Sequence, residues 1–237
     1  MSETTASEAQ QLMGLDTVRI KSPYMARNIV DKVKAQGQSY CQVLNETGEL
    51  LWEVTRTNLK GSYDSRIMVK PMYEDCQKSK SGKPEWHPSP PYLIVECSIP
   101  KAMHGQNVYG VIEDMQTACE NVRTLLQQLM GVELPHTANW TVQRVDWAES
   151  FQLPYQAVQE FFEGIYHVAF PRRKMQKYGN ESIFVPGTTT TIKIYHKGPE
   201  FQKNDRKRLA WVLRNFFHEN RPRDAAPDWA QAQAYRK

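Results

Sequence analysis

The sequence predicts an α+β fold with a largely antiparallel central sheet and flanking helices. Short apolar runs with a two-residue period indicate strands, and segments with apolar residues at helical spacing lie between them. The two kinds of element follow one another without regular alternation, which favours an antiparallel sheet over a parallel one. The chain has 237 residues, of which 40% are apolar, so it is long enough to bury a substantial core.

The first part of the chain is expected to begin with a disordered leader over residues 1–15. Apolar residues at helical spacing predict a helix over residues 24–34, which Gly37 ends. Strands are predicted over residues 17–20, 40–44, 50–55 and 66–72. Residues 78–91 are rich in proline, serine, glycine and lysine and have no periodicity. We therefore expect a mobile loop there.

The second part begins with a strongly apolar strand over residues 92–99. An amphipathic helix is predicted over residues 115–130, ended by Gly131. The other expected elements are a strand over 141–151, a helix over 154–164, a basic loop over 171–180, a hairpin of residues 182–185 and 188–197, and a helix over 205–217. One domain is thus expected over residues 16–220, followed by a polar tail over residues 221–237.

Charge is unevenly distributed along the chain. Residues 1–170 hold 15 basic and 20 acidic side chains, a balance of −5, whereas residues 171–237 hold 15 and 6, a balance of +9. The first basic cluster of this last part comprises Arg172, Arg173, Lys174 and Lys177. Such a bias suits a surface that follows a phosphate backbone. A solvated basic helix and tail is an equally good interpretation of the composition.

Several classes of protein are disfavoured. No apolar run approaches the roughly 20 residues of a membrane span, and the polar N-terminus lacks the pattern of a secretory signal. The four cysteines are far apart, without a CxxC pair, which disfavours a disulfide framework and a cysteine zinc site and fits a reducing cytoplasm. No GxxxxGK[ST] phosphate loop is present, so the chain is not expected to be an ATP-driven helicase.

The two-residue period of strands places chemically useful groups opposite apolar faces. In residues 188–197, Tyr195 points away from the isoleucines and lies between Lys193 and Lys197. In residues 92–99, Glu96 lies opposite the apolar face, and in the strand after residue 141, Arg144 and Asp146 share a face. We expect the Tyr195 phenol and the Asp146 carboxylate to meet around one cation on the open side of a common sheet.

These residue types fit phosphoryl chemistry. Nearby cations favour the phenolate form of a tyrosine and so make Tyr195 a candidate nucleophile. Carboxylates such as Glu96 and Asp146 suit a hard divalent cation. Each residue also has an ordinary interpretation: an exposed strand tyrosine for Tyr195, a salt bridge to Arg144 for Asp146, and a solvated edge charge for Glu96.

Three of these segments, taken together, resemble the gene II / gene X replication protein family of filamentous phages and related plasmids. The first is SIPKAMHGQNVYG, residues 98–110, which follows a strand ending in VEC. The second is the R-x-D triplet from Arg144 to Asp146, and the third is the Y-x-K-x-x-E motif from Tyr195 to Glu200. Each motif is weak alone, but their order and spacing agree over roughly residues 90–205.

The resemblance implies a fold like that of rolling-circle replication nucleases and the function of a replication initiator. Such a protein is a site- and strand-specific DNA endonuclease. Its tyrosine becomes joined to a 5′ phosphate at the phage origin, and a second transfer later closes the displaced strand. The partners implied are supercoiled double-stranded origin DNA and then single-stranded DNA, a host helicase and polymerase, and further copies of the chain at the origin. The location implied is the cytoplasm of the host cell, without a membrane.

Carried onto this chain, the resemblance makes Tyr195 the nucleophile and Lys197 the stabiliser of its phenolate or of the scissile phosphate. The implied cofactor is Mg²⁺ or Mn²⁺, without a nucleotide. The metal ligands would be Asp146, Glu96, Glu200 and His104. The DNA contacts would come from Arg144, Lys193, Arg172, Arg173, Lys174, Lys177 and Asn107.

Some alternatives stay open. His104 and Asn107 can simply shape the turn after the Glu96 strand, and the paired-histidine signature of the wider nuclease class is absent from the sequence. Tyr178 and Tyr166 are the alternative nucleophiles. A non-catalytic DNA-binding replication factor, or a regulatory protein whose basic tail binds an acidic protein, would retain the basic surface without needing the Tyr195 hydroxyl.

Overall fold

The computed structural model describes residues 12–216 except 45, 49, 61–64, 80, 83, 108–111, 113, 152 and 155. The chain divides into two compact units, one of Met13–Glu149 and one of Ser150–Lys237 with the N-terminal residues up to Leu12. No helix in the described part of the chain is long and apolar enough to cross a membrane. The predicted tail over 221–237 and most of the leader lie outside the described residues.

The first unit contains one sheet and its covering helices. Its elements are β1 (Leu12–Lys21), α1 (Arg27–Ala35), β2 (Gln38–Val43), β3 (Leu50–Lys60), β4 (Arg66–Lys78), β5 (Pro84–Ser98), α2 (Ile99–His104), α3 (Met115–Met130) and β6 (Thr141–Ser150). The six strands are ordered β2-β3-β4-β5-β1-β6, and the pairs from β2 to β5 and from β5 to β1 are antiparallel. The predicted α+β fold with a largely antiparallel sheet is confirmed.

One face of this sheet carries the core. Val95 on β5 lies opposite Ile20 on β1 and Val69 on β4 in the strand register, and all three are buried. Because side chains alternate across a strand, the residues between them point to the opposite, polar face. Helix α3 contributes to the same core through Val122 and Leu126.

Helix α3 has the bounds that its sequence predicts. The Asp114 side chain accepts a hydrogen bond from the Thr117 backbone N–H at its start, which satisfies one of the free donors of a first turn. Gly131 ends the helix in the left-handed conformation, with φ 64°, which glycine adopts without steric cost. The residues at its two ends therefore determine where helix α3 begins and ends.

The second unit has a smaller sheet and a separate core. Its elements are α4 (Ala157–Tyr166), β7 (Gln176–Lys177), β8 (Ser182–Val185), β9 (Ile192–Tyr195), α5 (Lys197–Glu200), a π-helical turn (Phe201–Asp205) and α6 (Arg206–Phe216). The three strands are ordered β7-β8-β9. Phe162 of α4 packs with Ile183 and Val185 of β8, so this helix and hairpin support each other.

The structure corrects three predictions. The expected mobile loop over residues 78–91 is too long, because β4 continues to Lys78 and β5 already begins at Pro84. The strand expected over residues 188–197 is shorter, since β9 covers Ile192–Tyr195 and Lys197 begins α5. Strand β1 begins at Leu12, inside the range expected to be a leader.

Candidate functional site

The polar face of the first sheet carries a network of charged residues, the Arg144 cluster, which consists of Arg19, Glu96, Arg144 and Asp146. Arg19 on β1 lies opposite Glu96 on β5 in the register, and its Nε donates a 2.6 Å hydrogen bond to Glu96 Oε2. Arg144 Nη1 lies 3.6 Å from Glu96 Oε1, and Arg144 Nε donates to Asp146 Oδ1 at 2.7 Å. Arg144 therefore links the two carboxylates, and its contact with Asp146 is the salt bridge that was the ordinary interpretation of that residue.

Asp16 on β1 belongs to the same polar face and was not identified from the sequence. Its Oδ1 accepts hydrogen bonds from Ser98 Oγ at 3.2 Å and from Asn107 Nδ2 at 3.5 Å. The Asn107 side-chain oxygen is buried without a hydrogen-bond partner in the described part of the chain. Asn107 is thus held by Asp16 after the turn that follows α2, which makes it part of this face.

More cations lie on this side of the sheet. Met68 faces Glu96 across β4 and β5, and Lys70 comes two residues later on the same face. The pKa of Lys70 is lowered, first by burial and then by the positive charges of Arg56 and Arg19. Burial and the neighbouring positive charges of Arg56 and Arg19 thus both disfavour the charged form of Lys70.

The predicted metal ligands do not form a preorganised metal centre. Among the residues described, no group of three His, Cys, Asp or Glu side chains is placed to hold a metal ion. Glu96 and Asp146 are instead paired with arginines, and Mg²⁺ prefers an octahedral set of oxygen ligands. His104 ends α2, and burial lowers its pKa. The residues as arranged do not fit the ion, and metal binding stays a prediction.

The second unit holds Tyr195 in an open cleft of about 750 Å³, the Tyr195 cleft, which is lined by Tyr178, Gly179, Asn180, Glu181, Ser182, Tyr195, His196, Pro199 and Glu200. Strand pairing builds it: Tyr195 at the end of β9 lies opposite Ser182 at the start of β8. Tyr195 is 48% exposed, so its ring is accessible to a large substrate.

Lys197 is fixed beside Tyr195 by two carboxylates. Its Nζ lies 6.0 Å from the centroid of the Tyr195 ring and donates to Asp205 Oδ2 at 2.8 Å and to Glu200 Oε2 at 3.0 Å. Burial lowers the pKa of Lys197, but the hydrogen bonds from Lys197 to Asp205 and Glu200 outweigh it, so the pKa is raised. The side chain therefore stays protonated and acts as a fixed positive charge.

His196 and Glu181 are further residues of the cleft that sequence reasoning missed. His196 Nδ1 lies 3.2 Å from Glu181 Oε2, close enough for an ion pair although the atoms are not aligned as a hydrogen bond. Gly198 leaves room for this ring, because a Cβ there would lie 2.9 Å from His196 Nε2. The only sequence signal for His196 was its place inside the Y-x-K-x-x-E motif.

The predicted DNA-binding residues of the second unit differ in how strongly their side chains are held by contacts within the protein. Arg173 Nη1 donates a 3.0 Å hydrogen bond to the Thr190 carbonyl oxygen, so this side chain supports the turn between β8 and β9. Lys177 Nζ lies 4.0 Å from the centroid of the Tyr166 ring, and Lys193 Nζ lies 5.9 Å from that of Phe184. Arg172, Lys174, Lys177 and Lys193 are exposed, whereas Arg173 is half-buried. Arg173 is accordingly the least available phosphate contact of this group.

The predicted site residues thus fall into two groups. Glu96, Arg144 and Asp146 belong to the six-stranded sheet, whereas Tyr195 belongs to the three-stranded sheet of the other unit. The expectation of a common sheet is wrong. The expected flanking of Tyr195 by two lysines of one strand face is also corrected, because Lys197 lies on α5.

Comparison with known proteins adds one family match. The family described as the N-terminal part of the gene II replication-associated protein matches residues 15–232. Neither a curated protein nor a solved structure matches the chain. The matched range covers most of both units and includes all the candidate site residues described above.

Proposed function

The chain belongs to the family of the gene II replication-associated protein, N-terminal part, and on that premise we propose that it is the endonuclease that initiates rolling-circle replication of a phage genome. Family membership supports a role in phage replication. The nicking chemistry is our proposal. In it, the chain cuts one strand of the DNA at one site of the origin. Unwinding and synthesis would fall to a host helicase and polymerase in the host cytoplasm.

The observation that carries the proposal is the exposed Tyr195 phenol beside a lysine that cannot easily lose its proton. Lys197 is held by Asp205 and Glu200, so it favours a negative charge on the phenol or on the scissile phosphate. In the proposed step the phenolate oxygen attacks the phosphorus, the bond to O3′ breaks, and the 5′ phosphate is left on Tyr195. The raised pKa of Lys197 supports an electrostatic role for this lysine over the role of a general base.

Rejoining follows from the same intermediate. A tyrosyl phosphodiester retains much of the free energy of the broken bond, so attack by a 3′ hydroxyl can close the displaced strand without a nucleotide cofactor. The Tyr195 cleft, about 750 Å³ and open to solvent, leaves room for the returning strand end. No step of this scheme is assigned to a metal ion, because the carboxylates of the first unit are paired with arginines.

The test is nicking of a supercoiled plasmid that carries the origin of the encoding genome. The wild-type protein is expected to relax the plasmid and leave a covalent adduct, which mass spectrometry would locate on Tyr195. Tyr195→Phe is expected to bind without nicking. Tyr178→Phe is the matched control, because Tyr178 lines the same cleft and is 59% exposed. Equal nicking by wild type and Tyr195→Phe, or an adduct on Tyr178, would contradict the assignment.

A non-catalytic DNA-binding function is the second candidate. It is favoured by the balance of +9 in residues 171–237, where 15 basic residues face 6 acidic ones, and by the exposure of Arg172 and Lys174. Under this alternative, binding is steeply salt-dependent, and neither wild type nor Tyr195→Phe nicks. The same plasmid assay therefore decides between the two functions.

A further inference from the structure

Three basic residues on β3 and β4 form a patch on the polar face of the first sheet, the β3–β4 patch, which consists of Arg56, Arg66 and Lys70. Asn58 on β3 lies opposite Met68 on β4 in the register. Because side chains alternate along a strand, Arg56 shares the face of Asn58. For the same reason Arg66 and Lys70, two residues to either side of Met68, share the face of Met68. The three cations therefore point to one side of the sheet.

The helices of the first unit cover the opposite face. Thr57 and Val69, which lie opposite each other at the alternate positions of β3 and β4, are buried. Thr57 Oγ1 donates a 3.2 Å hydrogen bond to the Val33 carbonyl oxygen of α1. Ala102 of α2 and Val122 of α3 belong to the same core as Val69. Helices α1, α2 and α3 thus pack on the core face and leave the patch uncovered.

The patch carries positive charge without an acidic partner. Arg56 and Arg66 are exposed and Lys70 is half-buried, and among the described residues none of the three forms an ion pair. Burial lowers the pKa of Lys70, and the positive charges of Arg56 and Arg19 lower it further. A carboxylate close to Lys70 would raise this pKa instead. The surroundings of Lys70 are therefore cationic.

The acidic residues on the other half of this face are already balanced by arginines. Glu96 on β5 accepts a 2.6 Å hydrogen bond from Arg19 Nε, and Asp146 on β6 accepts one of 2.7 Å from Arg144 Nε. The pKa of Arg144 is raised by Asp146 and less strongly by Glu96 and Asp16. Charge is thus compensated locally on β1, β5 and β6, but not in the β3–β4 patch.

Two acidic residues on β4 lie beyond one end of the patch. Asp75 accepts a 2.6 Å hydrogen bond from Lys21 Nζ. Glu74 lies past the register shift that follows Met72, four residues and thus roughly 14 Å along the strand from Lys70. This separation exceeds the Debye length of about 8 Å at physiological salt. Neither carboxylate therefore neutralises the patch.

The spacing of the patch suits a chain of phosphates. Arg56 and Lys70 are neighbours on adjacent strands, about 5 Å apart, whereas Arg66 is four residues from Lys70, roughly 14 Å along β4. Like charges that lie directly opposite each other destabilise a sheet, and an anion bound between Arg56 and Lys70 would offset this effect. An anion that also reaches Arg66 must carry further charges along the strand. A polyanion with regularly spaced charges meets both requirements.

We propose that the β3–β4 patch binds the phosphate backbone of the origin DNA, with Arg56 and Lys70 at one phosphate and Arg66 at another further along the same DNA strand. Arginine suits this role because its guanidinium can bind phosphate through two parallel hydrogen bonds. Contacts to the backbone fix the position of a protein on DNA without reading its sequence. This inference rests on the proposed function, which identifies the polyanion as DNA.

The test measures affinity for a labelled origin duplex by fluorescence anisotropy, in EDTA and at several salt concentrations. In the patch variant, Arg56, Arg66 and Lys70 are changed to glutamine. Its affinity is expected to fall about tenfold or more, and its salt slope by roughly two to three, since each phosphate contact contributes about 0.9. Arg66→Gln alone is expected to lower the slope by about one, and because Arg66 is exposed, this variant tests the patch with little risk to folding.

A matched control removes the same charge from the helix on the opposite face of the sheet. In this control variant, Arg27, Lys32 and Lys34 of α1 are changed to glutamine. Its salt slope is expected to stay within about 0.5 of wild type, because it loses no phosphate contact. A scrambled duplex of the same length is expected to show the same loss with the patch variant as the origin duplex, because backbone contacts carry no sequence information.

An unchanged salt slope in the patch variant, or an equal loss in the control variant, would overturn the proposal. A loss confined to the origin duplex would also overturn it, because that result indicates contacts to bases. Release of DNA by millimolar inorganic phosphate at constant ionic strength would show instead a site for a free phosphate. The proposed function fails in a different assay, plasmid nicking, and Tyr195→Phe is expected to bind the duplex in EDTA with the wild-type salt slope.

Discussion

Lys197 donates a 2.8 Å hydrogen bond to Asp205, a carboxylate that is 5% exposed, so the positive charge beside Tyr195 is anchored from inside the second unit. The π-helical turn Phe201–Asp205 brings this aspartate back to the start of α5. π-helical turns are rare and often occur at functional sites. Lys197 is thus positioned by Asp205 from the π-helical turn and by Glu200 from its own Y-x-K-x-x-E motif.

Replacing Lys197 by methionine is expected to slow nicking about 100-fold, because the fixed charge that favours the phenolate or the scissile phosphate is lost. The neutral side chain keeps most of the volume of the lysine. Single-turnover rates on a supercoiled origin plasmid measure the effect. Lys193→Met is the matched control, since Lys193 Nζ lies 5.9 Å from the Phe184 ring, on the neighbouring strand β8.

Asp205→Asn tests, in the same assay, whether the position of Lys197 matters in addition to its charge. The variant keeps Lys197 but removes the charge of its buried partner, so both a lower free energy of unfolding, by about 2 kcal/mol, and a smaller loss of rate than in Lys197→Met are expected. Chemical denaturation and the plasmid assay measure the two effects. A Lys197→Met variant that nicks at the wild-type rate would show that the lysine does not act on the reaction.

The stability of the first unit is expected to fall in acid through Glu120 on α3. Arg123 Nε donates to Glu120 Oε1 at 2.6 Å, and Thr137 Oγ1 donates to Glu120 Oε2 at 2.8 Å. The hydrogen bond from Arg123, against a smaller opposing effect of burial, lowers the pKa of Glu120 from 4.5 to about 2. A lowered pKa in the folded state stabilises the fold above pH 4.5, and this contribution is lost as the pH falls toward 2.

Glu120→Gln is therefore expected to be less stable than wild type at pH 7, with a difference that shrinks between about pH 5 and pH 2. Urea denaturation at pH 7, 5 and 3 measures it. Glu133→Gln changes an exposed carboxylate on the segment that follows α3 and serves as the control. A difference between wild type and Glu120→Gln that is constant across this pH range would contradict the assignment.

The sequence predicts the first sheet well where periodicity and end signals agree. Helix α3 has its expected bounds because Asp114 and Gly131 mark both ends, and the apolar face of β5 is confirmed by the burial of Leu93 and Val95. Residues 84–91 of β5 were predicted as a loop because of their prolines. Proline is compatible with a strand when it faces an unpaired edge, and composition alone does not reveal which edge a residue faces.

The candidate site is harder to predict from the sequence than the first sheet is. A continuous two-residue period placed Lys193, Tyr195 and Lys197 on one face, but β9 ends at Tyr195, so Lys197 reaches the tyrosine from a helix. Asp205 depends on a π-helical turn that has no periodic signal. Asp16 is identified only by its hydrogen bonds to Ser98 and Asn107, which join residues more than 80 positions apart in the chain.

Gly164→Ala is expected to stabilise the second unit. Gly164 lies in α4, and a Cβ there meets nothing within 4 Å. Alanine is favoured over glycine in a helix interior by roughly 0.5–1 kcal/mol, so the free energy of unfolding is expected to rise by about that amount. Gly37→Ala is expected to lower the free energy of unfolding, because the added Cβ would lie 2.6 Å from Thr57 Oγ1. Chemical denaturation measures both, and a destabilised Gly164→Ala would contradict the prediction.

The predicted divalent cation is expected to bind weakly and through Asp146. Arg144 already pairs with this carboxylate and with Glu96, so Mg²⁺ or Mn²⁺ must compete with a guanidinium for the same oxygens. Asp146→Asn is expected to bind Mn²⁺ about tenfold more weakly than wild type, because the variant loses an anionic ligand.

Calorimetric titration of Mn²⁺ into the protein without DNA measures this affinity. Glu163→Gln on α4 is the control, since Glu163 is exposed and accepts a hydrogen bond from Gln159 alone among its described contacts. The Mn²⁺ affinity is expected to fall in Asp146→Asn and to stay unchanged in Glu163→Gln. Identical affinity of wild type and Asp146→Asn for Mn²⁺ would show that the Arg144 cluster is held together by its arginines and takes no metal.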